Sequence, residues 1–284
     1  MNADVVTHLR CPVCAEPLAE VGAAPPRSLR CPRGHTFDLA RQGYVNLLTG
    51  RAPHTGDTAE MIAARADFLA AGHYDPVSAA LADAAAQALP RDAYAPLVVD
   101  AGAGTGRHLA AVLDALPQAV GLALDVSKPA SRRAARAHPR ADAALADTWA
   151  RLPLADGTTA LLLNVFAPRN GAEFHRVLRA DGVLLVATPA AAHLAELVET
   201  LGLLRVDPEK EERVAQSLAG HFAAVGATTV SARLALSRSE VRTLVGMGPS
   251  AWHTDVDRLG ERLTALPEPV EVTLAVRIGC YRPR

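Results

Sequence analysis

Residues Asp100 to Gly106 read D-A-G-A-G-T-G. The residues just before them, Leu97 to Val99, have the pattern of a short buried strand, and His108 to Leu116 the pattern of an amphipathic helix. A glycine-rich turn from a buried strand into a helix is a βα unit. It points loop backbone and a helix N-terminus at a ligand. Such a unit buries its strand only beside other strands with helices on both faces, so the rest of the chain has to supply both. It does: QAVGLALD reads as a strand, SRRAARAHP as a helix, Ala160 to Phe166 as a strand, and NGAEFHRVLRADGVLLVATP as helix, turn and strand. A late helix near LSRSEVRTL and a terminal strand at VEVTLAVRI follow. The fold class is therefore α/β, a Rossmann-like, doubly wound and mostly parallel sheet. Asp100, Asp125, Asp147 and Asn164 all fall at strand ends, where ligands of such sheets bind.

The identity of the ligand turns on one departure. The dinucleotide fingerprint is G-x-G-x-x-G, whereas Gly102, Gly104 and Gly106 give G-x-G-x-G behind an acidic Asp100. A pyrophosphate wants backbone N–H groups and no anion beside them. The methionine part of S-adenosylmethionine carries an ammonium and a sulfonium and accepts Asp100 as a neighbour. Asp125, 19 residues beyond Gly106, is placed to accept both ribose hydroxyls. The loop therefore favours S-adenosylmethionine over a nicotinamide dinucleotide, with the dinucleotide as the alternative. The blander alternatives are a tight βα turn with no ligand and, for Asp125, a helix cap, because Ser127 and Pro129 follow.

A second motif lies near the N-terminus: Cys11-x2-Cys14-x16-Cys31-x3-His35. Two knuckles with N and S ligands match the tetrahedral preference of Zn²⁺, and four protein ligands leave no open position for catalysis. The site reads as structural, bracing a segment with too little core of its own. THLRC and SLRC, ahead of the two knuckles, read as short strands, and HTFDLARQGYVNLL as the piece that lays the module against the next domain. TGRAPHTGDT is rich in Gly, Pro and Thr and reads as a linker. The expected organisation is a zinc-binding domain over 1–50, a linker and helical lead-in over 51–95, and the methyltransferase domain over 96–284.

The 284 residues are half hydrophobic, enough for a sizeable core, and the net charge of −1 does not by itself demand a nucleic-acid partner. No apolar run approaches the roughly 18 residues of a membrane span, and the first residues lack an apolar signal core. The expectation is a cytoplasmic protein with no membrane partner. The oligomeric state is left open, a homodimer included.

The segments CPVC…CPRGHTFDLARQGYVNLL, GDTAEMIAARADFLAAGHYDP, DAGAGTGRH, GLALDVSKPA, NVFAPRN, ATPAAAHLAEL and MGPSAWH occur in the order of the RlmA family, which the whole chain resembles. Members of that family are 23S rRNA guanine-N1 methyltransferases. The resemblance implies a target guanosine in a domain II hairpin loop of 23S rRNA and, in one branch, a link to tylosin-type macrolide resistance. It makes Cys11, Cys14, Cys31 and His35 the zinc ligands. It places Tyr74, Gly104, Thr105 and His193 against S-adenosylmethionine, Asp125 at the ribose and Asp147 near the adenine.

Guanine N1 carries a proton, so attack through it needs that proton removed or the enolate stabilised. NVFAP, Asn164 to Pro168, contains no carboxylate, and Asn164 is the candidate for orienting the base. It also lacks the N-P-P-Y pattern of amino-methyltransferases, as a ring-nitrogen target would have it. Arg33, Arg41, Arg51 and Arg169 are the candidates for RNA contact, across a cleft between the zinc module and the sheet. Two further readings stay open: a small-molecule methyltransferase with a zinc-braced appendage, and a non-catalytic zinc-dependent RNA-binding protein.

Overall fold

The computed structural model describes residues 1–22, 27–50, 56–89, 95–203, 207, 209–248 and 256–284. The N-terminal part comprises α1 (Ala3–His8) and the short strands β1 (Ala19–Val21), β2 (Ser28–Arg30), β3 (Thr36–Asp38) and β4 (Tyr44–Asn46). Two helices follow, α2 (Ala59–Ala70) and α3 (Asp75–Ala88). The alternating part runs β5 (Leu97–Ala101), α4 (Arg107–Ala115), β6 (Val120–Asp125), α5 (Lys128–Ala134), β7 (Ala141–Leu145), β8 (Thr159–Val165), α6 (Gly171–Val177) and β9 (Leu178–Pro189). The chain ends with α7 (Ala195–Leu201), α8 (Lys210–Ala219), β10 (Phe222–Leu236), α9 (Arg238–Gly246), α10 (Val256–Ala265) and β11 (Val270–Pro283).

Eight strands form one sheet in the order β10-β11-β9-β8-β5-β6-β7-β4. Pairing is parallel from β4 through β9, and β11 lies antiparallel between β9 and β10. The strand order reverses between β5 and β8, which makes the carboxyl ends of β5 and β8 the switch point where ligands of such sheets bind. The central strands are runs of Leu, Val and Ala that are buried along their whole length, as strands covered on both faces must be. Val98 faces one apolar core with Leu109, Val112 and Leu81. Its neighbours Leu97, Val99 and Ala101 face the other, a consequence of the two-residue side-chain period.

The two faces are covered differently. Helices α2 to α5, α7, α9 and α10 contribute to the first core. The second core takes Phe174 and Val177 from α6 and Val214 and Leu218 from α8. It also takes Val5, Leu9, Cys11, Leu29 and Cys31, all from the N-terminal segment. The reason is visible in the connection between β7 and β8: residues 146–158, all described, carry no helix. The N-terminal segment lies there instead. Leu9 bridges to Leu154, Arg10 N donates to Pro153 O (3.0 Å) and Ala155 N donates to His8 O (2.9 Å). β4 then extends the sheet itself, with Tyr44, Val45 and Asn46 in register with Ala143, Ala144 and Leu145 of β7.

One local expectation is corrected. T-H-L-R does not begin as a strand, because Thr7 and His8 close α1. Asn2 accepts a hydrogen bond from Asp4 N (2.9 Å) and caps that helix, a preference of Asn that outweighs the β-branched Thr7. Only Leu9 and Arg10 make strand-like bridges.

Candidate active site

β5 ends on Ala101, and the next two backbone N–H groups, of Gly102 and Ala103, both donate to Leu124 O on β6 (2.8 and 3.1 Å). The loop therefore folds over the end of the neighbouring strand. Gly102, Gly104 and Gly106 have φ of +86°, +55° and +79°. Space is short as well as conformation: a Cβ on Gly106 would lie 2.9 Å from Ala137 Cβ, and one on Gly102 would collide with Ala167 Cβ. Asp125 fixes the loop from below, its Oδ2 accepting from Gly104 N and its Oδ1 from Ser127 N (2.8 Å each). Ser127, two residues on, caps α5, whereas Asp125 braces the loop.

Asp100 is only 1% exposed, and its Oδ1 has no hydrogen-bond partner. Burial, and then the charge of Asp125, push its carboxyl up to about 8. A buried carboxylate oxygen without a donor is costly unless a cation or donor arrives with a ligand. The ammonium of an amino-acid cofactor is such a group and would favour the ionised form of the Asp100 carboxyl, so the site fits S-adenosylmethionine better than a pyrophosphate, which brings no cation. Opposite the loop, Arg65 of α2 pairs with Asp57 (2.6 Å) and donates to Met247 O (2.7 Å). Its Nη1 would stand 3.3 Å from a Cβ on Gly104, so Arg65 covers the loop. Ser127 Oγ donates to Asp57 O (2.8 Å), which ties this cover to the end of β6.

A ring cluster flanks the crevice. Tyr74, buried before α3, lies 3.3 Å through its hydroxyl from His193 Nε2. His193 Nδ1 accepts from Ala275 N (3.3 Å), so the neutral ring carries its proton on Nε2 and donates it to Tyr74. Burial, and then the charge of Lys210, bring His193 down to about 4, so the ring is neutral at physiological pH. Phe166 stacks on it with centroids 6.2 Å apart and planes at 20°. Asn164, fully buried at the end of β8, donates through Nδ2 to Ala101 O (3.1 Å) and Pro168 O (2.8 Å), while its Oδ1 has no partner. Asn164 thus clamps its own loop to the end of β5.

At the other end of the chain, the side-chain ligand atoms of Cys11, Cys14, Cys31 and His35 all lie within 4.8 Å of one another. Cys31 Sγ is 3.4 Å from His35 Nδ1, Cys11 Sγ 3.6 Å from the same nitrogen, and Cys14 Sγ 3.7 Å from Cys31 Sγ. Zn–S bonds of about 2.3 Å put tetrahedral ligands roughly 3.7 Å apart, so the cluster fits zinc in geometry and donor type. Burial alone would raise the Cys31 thiol, but hydrogen bonds from the His35 and Arg33 backbone, Cys14 and the His35 side chain outweigh it and bring it down to about 6. The thiolate that a metal requires is therefore accessible at neutral pH.

The N-terminal residues 9–52 match the family model described as RlmA, N-terminal, a zinc ribbon. Over its whole length the chain is 70% identical to a Micromonospora griseorubida protein named as a candidate 23S rRNA (guanine-N1)-methyltransferase, which it covers completely. It is 54% identical to the 23S rRNA (guanine(748)-N1)-methyltransferase of Streptomyces fradiae, over 100% of this chain and 99% of that one. The chain belongs to the RlmA family. A Bacillus subtilis relative bearing a similar name is 33% identical over 95% of this chain and 96% of its own. Among solved structures, a candidate type II methyltransferase of Anaeromyxobacter dehalogenans superposes with a TM-score of 0.51 at 18% identity, over 72% of this chain and 95% of that one, and shares the fold.

Of the residues singled out in the sequence, this RlmA member brings Asp100, Gly102, Gly104, Thr105, Gly106, Asp125 and Asn164 to one crevice, with Tyr74 and His193 joined beside it. Asp147 follows β7, where its Oδ1 accepts from Trp149 N (2.9 Å). Arg33 and Arg41 are exposed on the zinc ribbon, and Arg169 is half-buried beside Ala167 O (3.3 Å). Arg51 lies outside the described residues. Sequence reasoning missed Asp57, Arg65, Lys210 and the exposed ring of Phe166. Asp57 stood inside the quoted GDTAEM segment, but nothing in its spacing tied it to Arg65.

Proposed function

We propose that this protein transfers a methyl group from S-adenosylmethionine to N1 of a guanosine in 23S rRNA. The observation that carries the reading is the full-length, 54% identical match to the Streptomyces fradiae enzyme, whose name specifies guanine 748 and N1. The finer reading is a target in the domain II hairpin loop, at the position of that relative's guanine, and with it a role in resistance to tylosin-type macrolides.

When bound, S-adenosylmethionine supplies an electrophilic methyl on a sulfonium, and transfer exchanges the C–S bond for an N1–C bond with loss of the N1 proton. The protein's part is positioning. Asp100 and the backbone of Gly102 to Gly106 would hold the amino-acid end, Asp125 the ribose edge, and Asp147 the adenine end. Thr105, Tyr74 and His193 complete the wall. Asn164, buried with its amide bonded to Ala101 O and Pro168 O, acts on the base only by clamping the loop at the reacting end. His35 and the three cysteines hold zinc, and Arg33, Arg41, Arg51 and Arg169 contact RNA phosphates. The target base has to be unpaired or flipped, since pairing hides N1.

Labelled S-adenosylmethionine incubated with 23S rRNA lacking the mark tests the reading. Label should enter the rRNA, and primer extension should stop at a single guanosine. Label that reached only small molecules, or rRNA bound but never methylated, would replace this reading with one of the other two.

A further inference from the structure

We propose that Phe166 is the surface on which the target guanine stacks, its ring held from behind by His193; this rests on the reading above. Phe166 is 41% exposed, although it sits directly after a strand whose seven residues are all buried. Its φ is +53°, a left-handed conformation that a bulky side chain rarely adopts. Strain of that kind persists where the surroundings enforce it, and it concentrates at ligand sites. The surroundings here do enforce it. Phe166 N donates to Ala187 O (3.1 Å), and Asn164 Nδ2 ties the turn to Pro168 O on its far side and to Ala101 O at the end of β5. The next residue, Ala167, occupies the space that a Gly102 side chain would need. The exposed ring is therefore one residue from the loop that cradles the donor.

The ring has two aromatic neighbours in place. His193 stacks on it, and His193 is itself fixed by Tyr74 and by Ala275 N. Tyr74 adds a tilted contact to Phe166 at 6.1 Å. A ring braced by two aromatic neighbours and still open to solvent is a preorganised platform for another flat group. The rim carries positive charge. Arg169 is three residues away and donates to Ala167 O, and Lys210 is near enough to both His193 and Arg169 for its charge to be felt. A flat, exposed ring with a cationic rim suits a nucleobase with its phosphate. It would suit neither an aliphatic substrate nor a cation.

The test compares Phe166→Ala, Phe166→Tyr and Phe166→Leu in the full-length protein. All three carry a Cβ and so share the backbone demand. Methylation of 23S rRNA by Phe166→Ala should fall roughly ten- to a hundredfold in kcat/KM, the range covered by loss of one base–aromatic stack. Phe166→Tyr should restore most of it, whereas Phe166→Leu, apolar but not flat, should not. Affinity for S-adenosylmethionine, by calorimetric titration, should stay within about twofold of wild type in all three. A hairpin RNA carrying 2-aminopurine at the target position should be quenched by wild type and Phe166→Tyr and not by Phe166→Ala. The proposal alone is overturned if wild type methylates rRNA and Phe166→Ala or Phe166→Leu matches it, or if donor affinity falls in step with the rate. Wild-type protein that leaves rRNA unmethylated overturns the functional reading, and the proposal with it.

Discussion

Asp100 is held in a state that water would not choose. Its folded carboxyl, near 8, lies far above the roughly 3.9 of an unfolded Asp. Between those values the folded chain keeps a proton that the unfolded chain has released, so this group's contribution to stability is fullest below about pH 4 and is lost as pH rises toward 8. The ligand-free protein should therefore melt at a lower temperature as pH climbs from about 5 to about 8. Asp100→Asn should flatten that dependence in calorimetric scans while weakening S-adenosylmethionine at least about tenfold, the loss of a charge-assisted bond. Equal slopes for the two proteins would sink the idea. Asp100 was legible in the sequence because an acid before a glycine loop is informative wherever it occurs. Phe166 was not, because its meaning comes from a positive φ and from His193, 27 residues on.

At the scale of elements, the metal-binding ribbon is the most dependent part. Its strands are three residues each, too short to hold themselves together. Structural zinc in comparable peptides supplies apparent free energies of about 10–16 kcal/mol, as large as the whole stability of a typical domain. Cys31→Ser should lower bound zinc, read by metal analysis, and drop the melting temperature of the whole protein, since Cys31 shares a core with Val99 and Leu162. Melting unchanged after loss of the metal would show that the ribbon is an independent appendage. The sequence revealed this module through ligand spacing and the alternating part through its apolar runs. It did not reveal that Tyr44 to Asn46 join the main sheet, because a three-residue strand is specified only by its distant partner β7. Nor did it mark β10: of fifteen residues only Phe222 and Leu236, at its ends, are buried, so the apolar signal is weak.

For the molecule as a whole, charge is distributed where the total conceals it. A net charge of −1 coexists with exposed Arg33 and Arg41 on the ribbon and with Arg169 beside the crevice. If the first two contact phosphates, Arg33→Ala combined with Arg41→Ala should weaken rRNA binding and reduce the slope of log K against log salt by about 1.5, at roughly 0.7–0.9 per phosphate. Filter binding across a salt series reads this directly, and an unchanged slope removes both arginines from the footprint. The doubly wound architecture was legible because strand and helix patterns alternate along the chain. The asymmetry of its two faces was not, because it depends on a helix missing between β7 and β8. That gap gives the ribbon a second duty. By seating β4 along β7 it makes the margin of the sheet a strand of three residues, and long bare margins are where chains recruit one another into aggregates. A cell short of zinc would then hold a protein that is sticky as well as impaired, so metal supply governs how much of it stays dispersed.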